Sequence, residues 1–407
     1  MKSYIKKRTK AFIELFIKRR SRFSYNTAKV KQPKFFEMSS KHVFFGYYDL
    51  TDLNAAGDKA LVHVVGKNAN TSSDQAEIGY FDLESGEYRR IASTRAWCWQ
   101  QGSRLRWHPL YPDVILFNDV YNNEYVVKSV DIGTKEAFVL TTALYDISFD
   151  FKYGIGLNFS RLQRLRPGYG YSVLPDLTKD VYAPEDDGVF LADMENRSLK
   201  LVVSLHELSQ KCDNGATKEH YINHVSFSPD GSMFIFFHIT MDVSIVSSRK
   251  IYLYLYRIDT GMLELVEGKW TTSHYCWSGA NELMTTAIIE KGKTAYVVYD
   301  MSTMSKKVIE NKDLKSDGHP SFFSDNSGFV YDTYPDRNSF QKLLKYDTMT
   351  SEATVLSSFY HTPIRIGELR CDLHPRLWEN EGKRVITLDT TCSSGLRKVA
   401  LLELLNN

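Results

Sequence analysis

Short apolar runs separated by turn residues recur along the chain from residue 43 onward. The clearest unit is "HVSFSPDGSMFIFFH", His224 to His238, in which two apolar segments flank a Ser-Pro-Asp-Gly turn. Proline fixes φ and glycine accepts positive φ, so this segment predicts two antiparallel strands joined by a tight turn. No long helical period is evident in this part of the sequence, and the pattern therefore predicts an all-β protein.

Six further units repeat this frame of strand, turn and strand. They begin at Leu50, Arg104, Asp146, His274, His319 and His374. Most are followed by a third strand that ends in an Asp-containing turn, as in "IGYFDLESG". Repeats of about 40–60 residues with about four strands each predict a seven-bladed β-propeller over residues 39–407. The blade count changes by one if the N-terminal blade is closed by a strand from the C-terminal segment "KVALLELL".

The first 38 residues differ from the rest and predict a basic amphipathic N-terminal helical extension. Residues 1–35 carry twelve Lys and Arg against Glu14 alone, a charge of +11, which leaves −9 for the rest of a chain with net charge +2. A helix here would collect its apolar side chains on one side, a pattern suited to an anionic membrane surface. The alternatives are a disordered basic arm and a helix docked on the acidic body.

Composition narrows the functional classes further. The charge is concentrated at the N-terminus, which is not typical of a nucleic-acid-binding domain, so no nucleic-acid partner is expected. The apolar run "AFIELFI" is too short for a secretory or membrane-spanning segment, which indicates a cytoplasmic protein, with peripheral binding to the inner membrane as a further expectation. The five cysteines show no CxxC spacing and indicate reduced packing residues. Neither βαβ units nor a glycine-rich phosphate loop is found.

Four histidines occupy the same position in four repeats. They lie three residues before the first aromatic or apolar residue of the unit and are His224, His274, His319 and His374. Because the innermost strand of each blade lines the central channel, equivalent positions should converge. Imidazoles beside a carboxylate, for which Asp372 is the nearest candidate, suit a divalent transition metal. The alternative is that each histidine makes a structural hydrogen bond to the next blade. Trp277 and Trp378 are expected to pack in the core or at the rim.

A second polar cluster comes from the early blades. The segment "NFSRLQRLRPGYGY" brings together Arg161, Arg164, Arg166, Tyr169 and Tyr171. Arginines bind carboxylates or phosphates in bidentate fashion, and so long a loop often marks function. The alternative is a surface insertion held by ion pairs. The segments "GYYDL" and "WCWQQGSRLRW" add further candidates for substrate binding, which are Tyr48, Asp49, Gln101 and Arg104.

These motifs resemble those of a known family. The units "HVSFSPDG", "DGHPSFFSDNSGFVYDTYPD" and "CDLHPRLWENEGKRVITLDTT" are similar to blades of the oligogalacturonate lyase and TolB-type propellers. The segments "WCWQQGSRLRWHP" and "RCDLHPR" also resemble uncharacterised bacterial propellers that occur with surface-polysaccharide genes. The resemblance covers most of residues 40–405. Its blade motif specifies the fold more strongly than the activity.

The resemblance implies roles for individual residues. His319 and His374 match metal ligands of the lyases, Asp372 lies at the place of a further ligand, and a divalent metal such as Mn is the implied cofactor. His274 matches the catalytic base, and the predicted catalytic set also includes His224, Arg161 and Arg166. The chain departs from the pattern at two positions, because Asp372 replaces an expected His and an expected Gln falls near Leu369.

Three functions are compatible with these features. The first is a metal-dependent polysaccharide lyase-like protein that cleaves or binds uronate-containing glycans, acidic oligo- or polysaccharides, by β-elimination chemistry at the channel mouth. The second is a non-catalytic propeller that binds a glycan or a protein during bacterial surface-polysaccharide assembly. The third is a metal-dependent hydrolase or transferase in which Asp49 or Asp146 acts as acid or base.

Overall fold

The computed structural model describes residues 23–405 except 213–214, 243–244, 312, 363–365 and 393. The described residues form seven antiparallel sheets arranged as the blades of a propeller, which confirms the predicted fold class. Residues 1–22 of the predicted helical extension, which was placed over residues 1–38, lie outside the described residues. Among the described residues, none of the helices has the length and apolar character needed to cross a membrane.

The first two strands, β1 (Phe23–Tyr25) and β2 (Lys34–Phe36), join blades that are built mainly by the end of the chain. Blade 1 contains β3 (Lys41–Phe44), β4 (Lys59–Gly66), β5 (Ala76–Asp82) and β6 (Tyr88–Thr94). Blade 2 contains β7 (Arg106–Trp107), β8 (Val114–Tyr121), β9 (Glu124–Asp131) and β10 (Ala137–Thr142). Blade 3 contains β11 (Asp146–Ile147), β12 (Tyr153–Gly156), β13 (Gly188–Asp193) and β14 (Ser198–Ser204).

The later blades follow the same order. Blade 4 contains β15 (Glu219–Phe227), β16 (Met233–Asp242), β17 (Ile245–Arg257) and β18 (Leu263–Glu267). Blade 5 contains β19 (Thr271–Trp277), β20 (Glu282–Ile288), β21 (Thr294–Asp300) and β22 (Ser305–Ile309). Blade 6 contains β23 (Ser321–Phe322), β24 (Gly328–Asp332), β25 (Phe340–Asp347) and β26 (Glu352–Tyr360). Blade 7 contains β27 (Arg376–Asn380), β28 (Lys383–Thr391) and β29 (Arg397–Glu403).

Two short α-helices are attached to blade 3. Helix α1 (Phe159–Leu165) lies in the long connection between β12 and β13, and its first turn is capped by the Asn158 side chain, which accepts from the backbone N–H of Arg161. Helix α2 (Leu205–Gln210) follows β14 and is capped in the same way by Ser204. These caps satisfy backbone donors that a helix leaves unpaired at its start.

Burial on both faces explains why middle strands of the blades such as β16 are largely apolar. In β16 every residue except the last is buried, because neighbouring blades cover both faces of the sheet. The aromatic rings fill these spaces, as where Phe236 stacks on Tyr254 with ring centroids 5.5 Å apart. The channel side of each blade is formed by its first strand, so the blade-opening residues share one axis.

The ring is closed by strands from the N-terminal segment. Strand β2 pairs antiparallel with β29 in the register Lys34 with Leu401, and β1 pairs with β26 in the register Phe23 with Phe359. Each added strand covers the edge of the blade it joins, where backbone groups would otherwise be unpaired. Residues 23–36 therefore pair with the propeller, and the predicted boundary at residue 38 moves toward the N-terminus. The closing strand β2 comes from the N-terminal segment and completes the C-terminal blade. The alternative considered from the sequence was the reverse, a C-terminal strand that completes the N-terminal blade.

Candidate functional site

Four histidines from four different blades meet at one end of the channel, which we call the histidine mouth (His224, His274, His319 and His374). The ring centroids of His274 and His319 are 4.1 Å apart, and those of His319 and His374 are 4.4 Å apart. His224 is farther out, 6.4 Å from His274. All four side chains are buried. The repeat register thus brings together residues that are 150 positions apart in sequence.

An unusual backbone conformation helps to aim these side chains. His224 and His374 have φ values of 54° and 47°, and Arg104, at the equivalent position of blade 2, has 55°. In blade 4 the pairing register shifts between Asn223 and Ser226, which is a β-bulge around His224. A bulge redirects a side chain, and a left-handed non-glycine residue costs about 1–2 kcal/mol. Backbone strain of this kind is concentrated at functional sites.

Two of the imidazoles are held from behind by carboxylates. His319 Nδ1 lies 2.8 Å and 3.0 Å from the two carboxylate oxygens of Asp332, and His274 Nδ1 lies 2.9 Å from Asp317 Oδ1. A carboxylate at Nδ1 fixes the proton there and leaves Nε2 as the acceptor. Both rings can therefore present an unprotonated nitrogen to a ligand or to a proton.

His374 is held by the backbone instead. Its Nδ1 lies 2.7 Å from the carbonyl oxygen of Gly46, which can only accept, so Nδ1 carries the proton. Its Nε2 is buried and finds no hydrogen-bond partner among the described residues. A buried polar atom without a partner costs free energy, and such atoms are often explained by a missing ion or ligand.

The surroundings set the protonation of the cluster. Burial lowers the pKa of His374 well below 6.5, and the neighbouring His319 lowers it further. Burial also lowers the pKa of His274, although Asp317 opposes this effect. For His319 burial lowers the pKa, but the charge and hydrogen bond of Asp332 outweigh it, and the net pKa is raised. At neutral pH the rings of His274 and His374 are therefore neutral, whereas the neighbouring His319 binds a proton more readily.

Three side chains form a cluster that fits a divalent metal. One ligand atom from each of His319, Asp372 and His374 lies within 4.8 Å of the others, and all three residues are buried. Two imidazole nitrogens and a carboxylate oxygen are ligands that first-row divalent metals accept. Asp372 is shared, since Arg370 Nε donates to both of its oxygens at 2.8 Å. Leu369, near which the resemblance implies a Gln, packs beside a buried aromatic cluster.

Tyrosines surround the histidines. Tyr47 lies 4.8 Å from His374 and 5.3 Å from His224 between ring centroids, and its hydroxyl is buried without a hydrogen-bond partner among the described residues. The ring of Tyr48 packs 5.0 Å from that of His319. Its hydroxyl donates to the carbonyl of Tyr275, so it is committed to holding blade 5 in place. Tyr48 was predicted from "GYYDL" and Tyr47 was not, because alternation alone does not show which ring faces the site.

Two arginines, Arg166 and Arg249, have no acidic partner among the described residues. Arg166 stacks over the ring of Tyr169 at 4.9 Å, and Arg249 has a buried Nε without a hydrogen-bond partner. Burial lowers the pKa of Arg249, and the nearby charge of Arg166 lowers it further. The ring of Tyr169 lies 6.1 Å from that of His224, which places Arg166 beside the histidine mouth. Two adjacent guanidinium groups without a carboxylate favour an anionic ligand.

Other predicted residues serve the scaffold. All five N–H groups of Arg161 are committed, and its partners include the carbonyls of His220 and Tyr182 and the carboxylate of Glu219. Arg161 therefore has no donor left for the predicted catalytic role. Arg164 likewise binds Asp176 and Glu219. For Arg161 and Arg164, the segment therefore fits the alternative stated from the sequence, which is an insertion held by ion pairs.

The remaining candidates lie deeper in the channel. Arg104 makes a bidentate ion pair with Asp49 at 3.0 Å and 2.9 Å, and the Gln101 amide donates to the Tyr145 hydroxyl at 2.6 Å. The hydroxyl of Tyr171 accepts from Asn118 and is also buried. These residues form a layer below the histidines. Most of their polar groups are hydrogen-bonded within the protein, but the buried Oε1 of Gln101 has no partner among the described residues.

Comparison with known proteins shows the fold. No family model and no curated protein matches the chain. An oligogalacturonate lyase from Vibrio parahaemolyticus has a similar structure, with 13% identity, 94% of this chain and 96% of that chain covered, and a TM-score of 0.63. An oligogalacturonate lyase in complex with manganese is 12% identical, with 95% and 97% covered and a TM-score of 0.67. The propeller domain of the Trilobed protease from Pyrococcus furiosus is 10% identical, with 89% and 98% covered and a TM-score of 0.51. The resemblance to the lyase propellers is confirmed at the level of the fold.

Proposed function

We propose that the protein is a metal-dependent, lyase-like propeller that binds uronate-containing glycans at the histidine mouth and cleaves them by β-elimination. The observation that carries this proposal is the cluster of His319, Asp372 and His374 with the unpartnered Nε2 of His374, beside a carboxylate-backed His274. The same fold in a manganese-bound oligogalacturonate lyase supports it.

His319, His374 and Asp372 would hold the cation. When bound, a divalent cation such as Mn²⁺ neutralises the uronate carboxylate and makes the proton on the adjacent carbon more acidic. The ion pair between Asp372 and Arg370 reduces the negative charge that this carboxylate offers. We expect weaker binding of the cation than by a set of ligands without such a competitor.

His274 is the proposed base. It is neutral at pH 7, and Asp317 behind its Nδ1 stabilises the imidazolium that forms when Nε2 takes the C5 proton. The electron pair of the C5–H bond forms the C4–C5 double bond as the C4–O bond breaks. The leaving oxygen takes a proton, and the unpartnered hydroxyl of Tyr47 is the side chain we assign to it.

Arg166 and Arg249 are assigned to substrate binding. They carry guanidinium groups without acidic partners among the described residues, beside Tyr169. A carboxylate of a neighbouring uronate would complete their hydrogen bonds, and bidentate pairing would fix the position of the chain. Arg161 is not included, since its donors are committed.

The test is the ultraviolet absorbance of the unsaturated product on incubation with Mn²⁺ and fragments of pectin and of uronate-containing capsules. The wild type should form product, and H274N should lose about 100-fold or more in rate while retaining the metal, because only the base is removed. Metal content measured on both proteins is the control. Absence of product across the panel from a metal-loaded protein would refute cleavage.

A non-catalytic glycan-binding propeller is the second candidate. It is favoured by the commitment of both Asp372 oxygens to Arg370 and by Leu369 near the place of an expected Gln. Calorimetric binding of an oligouronate without formation of unsaturated product would support this function over the lyase.

We also propose that the N-terminal segment binds an anionic membrane surface. Its support is the charge of the first 35 residues. Because residues 23–36 include two strands of the propeller, the deletion that tests it should remove only residues 1–22. The full chain should sediment with anionic vesicles and the truncated chain should not, and equal sedimentation would exclude this segment as the anchor.

A further inference from the structure

The opposite end of the channel contains a cavity of about 720 Å³. We call it the tryptophan mouth, because Trp107, Trp277 and Trp378 line it together with Phe149. Trp277 lies three residues after His274 on β19, roughly 10 Å farther along the strand. Between the two mouths, Asp49 pairs with Arg104 and accepts a hydrogen bond from the hydroxyl of Tyr275. The tryptophan mouth therefore has its own entrance on the face of the turns between first and second strands.

The indoles expose only carbon surface to this cavity. Their N–H groups are committed to the protein: Trp107 donates to the carbonyl of Asp52 at 2.9 Å, Trp378 to that of Asn54 at 3.0 Å, and Trp277 to the Ser226 hydroxyl at 3.2 Å. A ring fixed by its N–H group has little freedom to rotate. The ring carbons that remain are suited to packing against apolar CH groups of a ligand.

The floor of the cavity is polar and electrically balanced. Arg106 pairs with Asp146 at 2.9 Å, and their side chains remain 11% and 14% exposed. Arg104 pairs with Asp49 one layer deeper, and Asp49 also lines the cavity. Two cations and two carboxylates leave no net charge at the floor. The partly exposed side chains of Arg106 and Asp146 present polar surface to a ligand.

This combination selects one chemical class. A purely apolar ligand would remove Arg106 and Asp146 from water without new hydrogen bonds, which costs free energy. A cation would meet the arginines and an anion would meet the carboxylates. An uncharged sugar ring has CH groups for the indoles and hydroxyls for the floor, and it satisfies both surfaces. The volume lies within the range of about 300–1,000 Å³ that is usual for ligand pockets.

We propose that the tryptophan mouth binds a short neutral saccharide, in contrast to the acidic glycan assigned to the histidine mouth. The assignment does not depend on metal binding or on cleavage at the other end of the channel. At the rim, Phe149 is 70% exposed and Leu110 is 54% exposed. These side chains extend the apolar surface outward, where a second sugar ring would lie.

Saturation-transfer NMR of the full chain with maltotriose, cellotriose, xylotriose and trigalacturonate tests this proposal. At least one neutral trisaccharide should give a signal, with the strongest transfer to its CH protons. F149A should weaken that binding by about fivefold or more, since an exposed aromatic platform is lost. Because Phe149 is exposed, this variant should fold normally, and its melting temperature checks this.

Two further variants locate the binding. D146N keeps the shape of the floor but removes its charge balance, and it should also weaken the neutral saccharide. H319A, at the other mouth, should leave that binding unchanged. The proposal is overturned if no neutral trisaccharide binds, if F149A and D146N both bind as tightly as the wild type, or if H319A abolishes the signal. Binding of an apolar peptide at this mouth in place of all the sugars would also overturn it, in favour of protein docking.

Discussion

The two mouths of the channel are built from the same strands and have opposite chemistry. At the histidine mouth, imidazoles are backed by Asp332 and Asp317 in a buried cluster with an unpartnered nitrogen. At the tryptophan mouth, three indoles with satisfied N–H groups surround a floor of balanced charge. Trp277 follows His274 by three positions on β19, so the titratable site and the apolar site lie only a short distance apart on one strand.

The difference shows how a repeat can generate two sites at once. Each inner strand contributes one residue near each end of the channel. Because the blades are arranged in a ring, the equivalent residues of all blades come together at that end. A position that is histidine in four repeats becomes a cluster of ligands, and a position that is aromatic becomes a lined cavity. Variants at one mouth should therefore leave the other intact, which the following predictions test.

The largest effect is expected from the metal ligands. H319A and H374A should each reduce Mn²⁺ affinity by more than 100-fold, since each removes a ligand of a cluster with few protein ligands. Isothermal calorimetry measures this loss. F149A at the tryptophan mouth is the matched control and should bind Mn²⁺ as the wild type does. Equal affinity in all three variants would place the metal elsewhere.

Stability should depend on pH through a histidine behind the histidine mouth. Burial lowers the pKa of His63 to about 4, and its ring nitrogens lie near the Phe45 carbonyl and the Ser103 hydroxyl. Because the folded pKa is below the unfolded value of 6.5, this contribution is present above pH 6.5 and is lost as pH falls toward 4.

The loss from His63 between pH 7 and pH 4 should be about 3 kcal/mol. Urea denaturation of the wild type and of H63Q at both pH values measures it. H63Q should be less stable at pH 7 but should lose less free energy of unfolding on acidification. An identical loss in both proteins would show that His63 does not cause the dependence.

A smaller effect is expected from the carboxylate behind His319. D332N keeps the size of the side chain but weakens its hold on the imidazole, and it should reduce Mn²⁺ affinity by about 10- to 100-fold. Asp332 also accepts from the backbone N–H groups of His319 and His374, which an Asn oxygen can still do in part. A decrease in Mn²⁺ affinity without a change in melting temperature would show that Asp332 positions the His319 imidazole and is not needed for folding.

The smallest effect should be confined to the tryptophan mouth. Gly57 has a φ of 69°, and a Cβ there would overlap Cζ2 of Trp378. G57A should therefore destabilise the protein by about 1–2 kcal/mol and displace that indole. Tryptophan fluorescence should change while Mn²⁺ affinity stays the same. A change in Mn²⁺ affinity would show that the two mouths are coupled.

The sequence predicted the fold and the histidines because both depend on local repeats. Turn residues and the spacing of four histidines are visible without knowledge of distant contacts. Tyr47 and Arg249 were missed because neither belongs to the repeated position. Arg161 was assigned to catalysis because nothing local reveals its partner Glu219, which lies 58 residues later.

The closing strands also determine when the protein can finish folding. Strand β2 needs β29, and their paired residues Lys34 and Leu401 are 367 positions apart in the chain. A ribosome that adds about 5–20 residues per second makes the partner of β2 roughly 20–70 s after β2 itself. Throughout synthesis the N-terminal strands must stay available and unpaired. Chaperones or a nearby surface that shields residues 23–36 during this interval would raise the yield of closed rings.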